Sequence, residues 1–227
     1  MTAPAREPAA IRTTVGKKVL VALSGILFIG FVLAHMIGNL KIFLGPTPIN
    51  RYGEWLRDIG EPAFPRSTIL WALRTVLFVG LIVHVGLTIH LARRSRAARE
   101  ERYVHPGVVQ ANYASRTMRW GGLAIFLFLI FHLMDFTWGV FSGFVRGDVY
   151  HNVVTSFQRV PVTIVYLFAM AALGLHLYHG TWSTMQTLGV NRKRWDKGIR
   201  ALALSLALII PIGFAAVPLA VVFRIVN

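Results

Sequence analysis

The chain has 227 residues, of which 55% are hydrophobic and only 15% charged, a balance that excludes an ordinary soluble globular domain and points to an integral membrane protein. A net charge of +15 in a soluble chain would suggest nucleic acid, but here the charge falls between apolar runs, so topology explains it and no nucleic-acid partner is expected. The absence of cysteine excludes disulfides, thiolate nucleophiles, covalent haem attachment of the c type and iron-sulfur clusters held by thiolates of this chain alone, leaving histidine to hold any redox metal.

A bilayer core needs roughly 20 apolar residues at about 1.5 Å rise each, and five stretches qualify: 19–43, 68–92, 120–142, 160–183 and 199–224. The expected fold is therefore all-α, a single bundle of five transmembrane helices over 1–227, with its termini on opposite sides. The charged segment before the first span is not read as a signal peptide, because the apolar run is too long and no convincing cleavage site follows it. Arg6, Arg12, Lys17 and Lys18 precede span one; Arg93, Arg94, Arg96, Arg99, Arg102, Arg116 and Arg119 lie between spans two and three; Arg192, Lys193, Arg194, Lys197 and Arg200 lie between spans four and five. One face thus collects sixteen of the twenty-four basic residues, and the positive-inside rule makes it cytoplasmic, with the N-terminus inside and the C-terminus outside. The connection 44–67 is rich in Pro and Gly and is expected to lie at the interface, with one amphipathic turn around Tyr52, Trp55 and Leu56. The longest polar connection is only about 25 residues, so catalysis on a soluble substrate belongs to another subunit.

Four of the five spans carry one deep histidine each: His35, His84, His132 and His176. An imidazole in hydrocarbon is costly unless bonded, which makes each a functional candidate, although each could equally hydrogen-bond a neighbouring helix. Depth separates them into pairs. His35 lies 17 positions past Lys18 and His132 13 past Arg119, both roughly 20 to 25 Å from the basic boundary, whereas His84 and His176 lie roughly 10 to 13 Å from it. Two pairs at two depths, each drawn from two helices, is the arrangement that holds two stacked haems by bis-histidine ligation in a four-helix bundle. Gly25, Gly30, Ala34, Gly38, Gly80, Gly86, Ala171 and Gly174 would let porphyrin faces approach the backbone, or serve ordinary close helix packing. His90 sits at the interface, and His105 and His151 fall in loops. His179, three residues after His176, could replace it as ligand, contact a propionate or snorkel.

The segments SGILFIGFVLAHMIGNLKIFLGP (24–46), NRYGEWLR (50–57), ASRTMRWGGLAIFLFLIFHL (114–133), GDVYHNVVTSFQ (147–158) and ALGLHLYHGTWSTMQTLG (172–189) carry a resemblance that covers nearly the whole chain. It resembles the cytochrome b membrane anchor of succinate:quinone oxidoreductases, the succinate dehydrogenase and fumarate reductase family, in its single-chain, five-helix, two-haem form as found in actinobacteria. The resemblance implies that His84 and His176 ligate a proximal haem b near the cytoplasm and His35 and His132 a distal one. It implies a multi-pass subunit of the bacterial cytoplasmic membrane, set among lipid and quinone, that docks an iron-sulfur subunit on the basic segments 93–119 and 186–200. A flavoprotein subunit with covalent FAD would complete the complex, and a higher oligomer fits the pattern. Electrons would pass through both haems to a membrane quinone, with menaquinone preferred to ubiquinone.

Within that resemblance Asn39, Lys41, Asp135 and Trp138 are candidates for an outer quinone site, and Ser24, Arg119, Trp120 and Gln186 for propionate contacts or a second quinone on the inner side. Asp135 is the one acid inside a predicted span and shares a helical face with His132; it could donate a proton or pair with Lys41 or a histidine. Where some family members carry an acid two positions before the fourth ligand, this chain has Gly174, which puts the associated proton path in doubt. The rival readings are a two-haem quinol-oxidising cytochrome b of another respiratory complex, a haem-free anchor, and a transporter that uses the histidines as proton relays.

Overall fold

Hydrocarbon offers backbone N–H and C=O groups no partner, so apolar stretches of this length satisfy them internally as helices. The computed structural model describes residues 13–97, 113–141, 143–190 and 192–227, and among these every regular element is helical. Arg6, Arg12, Arg99, Arg102, His105 and the side chain of Arg116 lie outside the described residues.

Helix α1 (Thr14–Asn39) starts where the Thr13 hydroxyl accepts the Gly16 amide at 3.0 Å, and it runs on as a 3-10 turn to Leu44. Gly45, at φ 95°, then breaks the chain into α2 (Pro46–Asp58), where proline suits the first helical turn. The connection 44–67 is thus mostly a 13-residue helix rather than a single amphipathic turn. Next come α3 (Thr68–Ala97), α4 (Tyr113–Phe136), α5 (Val149–Phe157), α6 (Val160–Thr187) and α7 (Asp196–Val222).

Five segments are long and apolar enough to cross a membrane: Thr14–Leu44, Thr68–Ala97, Met118–Phe136, Val160–Thr187 and Lys193–Val222. Their positions agree with the five expected spans, with one shortening. The third ends at Phe136 rather than near 142, because the chain turns sharply through Gly139 at φ 61° and Gly143 at φ 89°, conformations that suit glycine and end a helix. The chain then forms α5, in the stretch between the third and fourth predicted spans. Asp148 caps it by accepting the His151 amide at 2.9 Å.

Helix α6 lies at the centre and packs on α7, α4 and α1, while α3 packs on α1 and α2 and buries none of its residues fully. Apolar side chains such as Trp71, Phe78, Phe168 and Ile212 are exposed on the outside, as lipid-facing helices require. The buried core divides in two. One cluster gathers Ile42, Ile49, Val153, Phe157, Tyr166, Val217 and Val221 around α5, and the other gathers Met36, Leu177, Ala207 and Ile210 between α1, α6 and α7. Gly174 permits the close approach of α6 to α7, since a Cβ there would lie 2.9 Å from the Ala207 carbonyl oxygen.

The two ends of the bundle are distinct. At one end Lys17 at the start of α1 reaches His90 near the end of α3, Nζ to Nε2 2.9 Å. At the other, α2 and α5 are clasped by Asn50, which donates to Asp148 at 3.0 Å and accepts the Tyr150 amide at 3.0 Å, and the Tyr150 hydroxyl donates to the Asn227 carbonyl at 3.1 Å. The last residue therefore lies at the opposite end from the start of α1.

Candidate paired-histidine centre

The four deep histidines meet as two pairs. The ring centres of His84 on α3 and His176 on α6 are 6.4 Å apart at an interplanar angle of 61°, and those of His35 on α1 and His132 on α4 are 5.9 Å apart at 85°. These are the pairs that the depth count predicts. His84 pairs with His176 rather than with His179, one turn further along α6. Elsewhere in the described residues, His90 contacts Lys17, and His151 Nε2 lies 3.0 Å from the Gly143 carbonyl oxygen.

Both pairs span gaps between helices. Among the described residues neither α3 with α6 nor α1 with α4 shares a packing seam, although each couple brings its imidazoles together. Beside His176 a cavity of about 230 Å³ opens between α4 and α6, lined almost wholly by apolar and small residues, including Trp120, Gly121, Ala124, Phe168 and Ala171. Backbone also comes close to the rings: a Cβ on Gly122 would sit 3.6 Å from His176 Cε1, and one on Gly25 3.7 Å from His84 Cε1. The other glycines proposed as porphyrin neighbours divide. Gly38 faces Tyr52, Gly80 faces Leu27 and Gly174 faces α7, all in helix packing, while Gly30 and Gly86 have open space around them.

The hydrogen bonds suit one tautomer at one imidazole of each pair. The Ser24 hydroxyl donates its single proton to the Val21 carbonyl at 3.0 Å, so at 3.0 Å from His84 Nδ1 it accepts an N–H. In the outer pair the Tyr166 hydroxyl donates to the Asp135 carboxylate at 3.2 Å and therefore accepts from His132 Nδ1 at 3.3 Å. In both rings Nε2 is then left as the lone-pair nitrogen, the form in which histidine binds a metal. In the inner pair His176 Nδ1 is buried with no hydrogen-bond partner among the described residues. An orphaned buried nitrogen beside an apolar slot is costly unless something else engages it.

The donor set fits a haem. Each pair brings two imidazoles together from two helices. Two axial nitrogens with the remaining ligands from a macrocycle is the coordination of a b-type cytochrome. Imidazole nitrogens bind first-row metals at about 2 Å, which sets the ring centres of two opposed ligands roughly 6 Å apart.

The proposed outer quinone residues each have their own surroundings. Asn39 donates to the His35 carbonyl of its own helix at 2.8 Å, Lys41 lies over the Tyr52 ring at 5.3 Å, and Trp138 is exposed. Asp135 is buried and bonded not to Lys41 or a histidine but to Arg159 at 3.0 Å, Ser156 at 2.5 Å and Tyr166. Of the inner candidates Ser24 contacts His84 and Trp120 lines the cavity at His176, whereas Arg119 and Gln186 are exposed at the end of the bundle that holds Lys17. Tyr166, Ser156 and Arg159 were missed in the sequence; the signals were a tyrosine deep in an apolar run and an arginine at the mouth of one.

No protein-family model, no curated protein and no solved structure matches the chain.

Proposed function

We propose that this chain is the membrane-anchoring, electron-transferring subunit of a succinate:quinone oxidoreductase, a cytochrome b that passes electrons from an iron-sulfur partner to a membrane quinone. The observation that carries the reading is the meeting of His84 with His176 and of His35 with His132, four residues from four helices, in two pairs. The resemblance of the segments that hold His35, His132 and His176 adds the family.

In this reading His84 and His176 hold a proximal haem b, and His35 and His132 a distal one. Haem bound there supplies one-electron transfer across the bilayer. The chain's own residues set ligand geometry and exclude water: Ser24 and Tyr166 orient two imidazoles, and the apolar walls around His176 keep the inner site dry. The end of the bundle with Lys17, His90, Arg93 and Arg94 is cytoplasmic by its basic charge and docks the iron-sulfur subunit, to which a flavoprotein with FAD attaches. The quinone, menaquinone by preference, is reduced in this subunit, in the cytoplasmic membrane of a bacterium. Gly174, which supports the α6–α7 contact, leaves no room for an acid at that position.

Affinity purification of the tagged chain from its native membrane tests the assignment. The expected result is co-purification of a flavoprotein and an iron-sulfur protein, with succinate-driven reduction of a menaquinone analogue. Recovery with a nitrate reductase or hydrogenase catalytic subunit instead would assign the pairs to another respiratory complex.

A further inference from the structure

The two histidine pairs are held by different kinds of chain. In the inner pair the hydroxyl on His84 belongs to Ser24 and ends on a neutral backbone carbonyl, that of Val21. In the outer pair the hydroxyl on His132 belongs to Tyr166 and ends on the Asp135 carboxylate. That carboxylate is itself fixed, with one oxygen facing Arg159 at 3.0 Å and the other accepting from Ser156 at 2.5 Å. Tyr166 has little freedom to leave. It is 6% exposed and caged by Phe128 and Phe157 at ring-centre distances of 4.9 and 4.8 Å, nearly perpendicular to both.

We propose that Tyr166 is the positioning residue of the outer pair: it holds His132 with its proton on Nδ1 and connects that proton to the buried Asp135 charge, making His132 the more basic ligand of the two pairs' hydroxyl-bonded imidazoles. The inference rests on the two-haem reading above. A hydrogen bond from the far nitrogen of a ligating histidine to an acceptor raises ligand basicity, and a more basic axial ligand favours the oxidised iron. Tyr166 and Asp135 thereby lower the potential of the outer site, and Ser24 acts on the inner site alone.

The test is a spectroscopic redox titration of the intact purified complex, with haem counted per copy of this chain, for Tyr166→Phe and Ser24→Ala beside the unaltered protein. Tyr166→Phe deletes one oxygen and keeps the ring in its cage. The expected result is both haems retained and one component shifted upward by about tenfold in its reduction equilibrium, 59 mV for one electron, with Ser24→Ala moving the other component. Both haems present with unmoved midpoints in Tyr166→Phe, or the same component moved by both variants, would overturn the inference while leaving two haems standing. Should Tyr166→Phe fail to accumulate, Asp135→Asn is read in the same way, since the amide still accepts from Tyr166 but carries no charge; an unmoved midpoint there overturns it equally. Absence of haem from the unaltered complex overturns this inference together with the reading on which it rests.

Discussion

The rings of His84 and His176 stand 6.4 Å apart on two helices, α3 and α6, that share no packing seam among the described residues. Side chains that meet across such a gap do so over space that lipid or a flat group must fill, and on the α4 side of His176 a cavity of about 230 Å³ lined by small and apolar residues adjoins the pair. Helix packing alone gives no reason for the same relationship to recur between His35 and His132.

Ser24→Ala removes the acceptor of the His84 Nδ1 proton while leaving the helix intact. Loss of such an outer-shell partner lowers metal affinity by about 10- to 100-fold. The inner haem, present in the concentrated complex, is expected to wash out of Ser24→Ala protein on dilution before the outer one, and haem retention measured against dilution checks it.

Arg159→Met leaves the Asp135 carboxylate, whose side chain is 3% exposed, without its ion-pair partner. Breaking a buried pair this way costs about 3 to 5 kcal/mol, and the lower end applies because Arg159 is 35% exposed. Thermal unfolding in detergent is expected to show that loss, and Arg159→Met combined with Asp135→Asn is expected to lose less than the two changes added together.

The Asp148 carboxyl lies outside the spans, and the His151 amide, with the Asn50 side chain second, holds it below its ordinary value of 3.8. A depressed folded-state value means that its contribution is complete above about pH 4 and is lost as pH falls through the lower folded value. Asp148→Asn keeps a capping oxygen but does not titrate, so its stability profile in acid is expected to be flatter than that of the unaltered protein, as melting temperatures between pH 5 and 3 will show.

Gly174→Leu places a branched side chain where even a Cβ would stand 2.9 Å from the Ala207 carbonyl. Separation of α6 from α7 is expected, with destabilisation of about 1 to 3 kcal/mol by overpacking, measured by thermal unfolding in detergent.

Much of this architecture is legible in the sequence because one rule governs each part of it. Long apolar runs can only be helices in hydrocarbon, and counting residues from Lys18, Arg93 and Arg119 gives the depths that pair His35 with His132 and His84 with His176. What escaped detection depends on tertiary proximity. Tyr166 lies 31 residues from Asp135 and 34 from His132, and nothing local in an apolar helix marks which neighbours its hydroxyl meets. Arg159 lies 24 residues from Asp135, between α5 and α6, and the turn between those helices brings it onto that carboxylate. Helix α5 has a legible signal in its Asp148 cap, but at nine residues it is too short to show as a span. The glycines were ambiguous for a physical reason: the absence of a side chain serves a neighbouring helix, as at Gly174, as well as a bound group.

The central claim is that each histidine pair holds one haem b, and the most direct measurement is the dithionite-reduced minus oxidised spectrum of the purified complex, with haem quantified per copy of this chain. Two b haems are expected, one lost in both His84→Ala and His176→Ala and the other lost in both His35→Ala and His132→Ala. A fully assembled complex without haem, or one whose haem content survives all four substitutions, would contradict it.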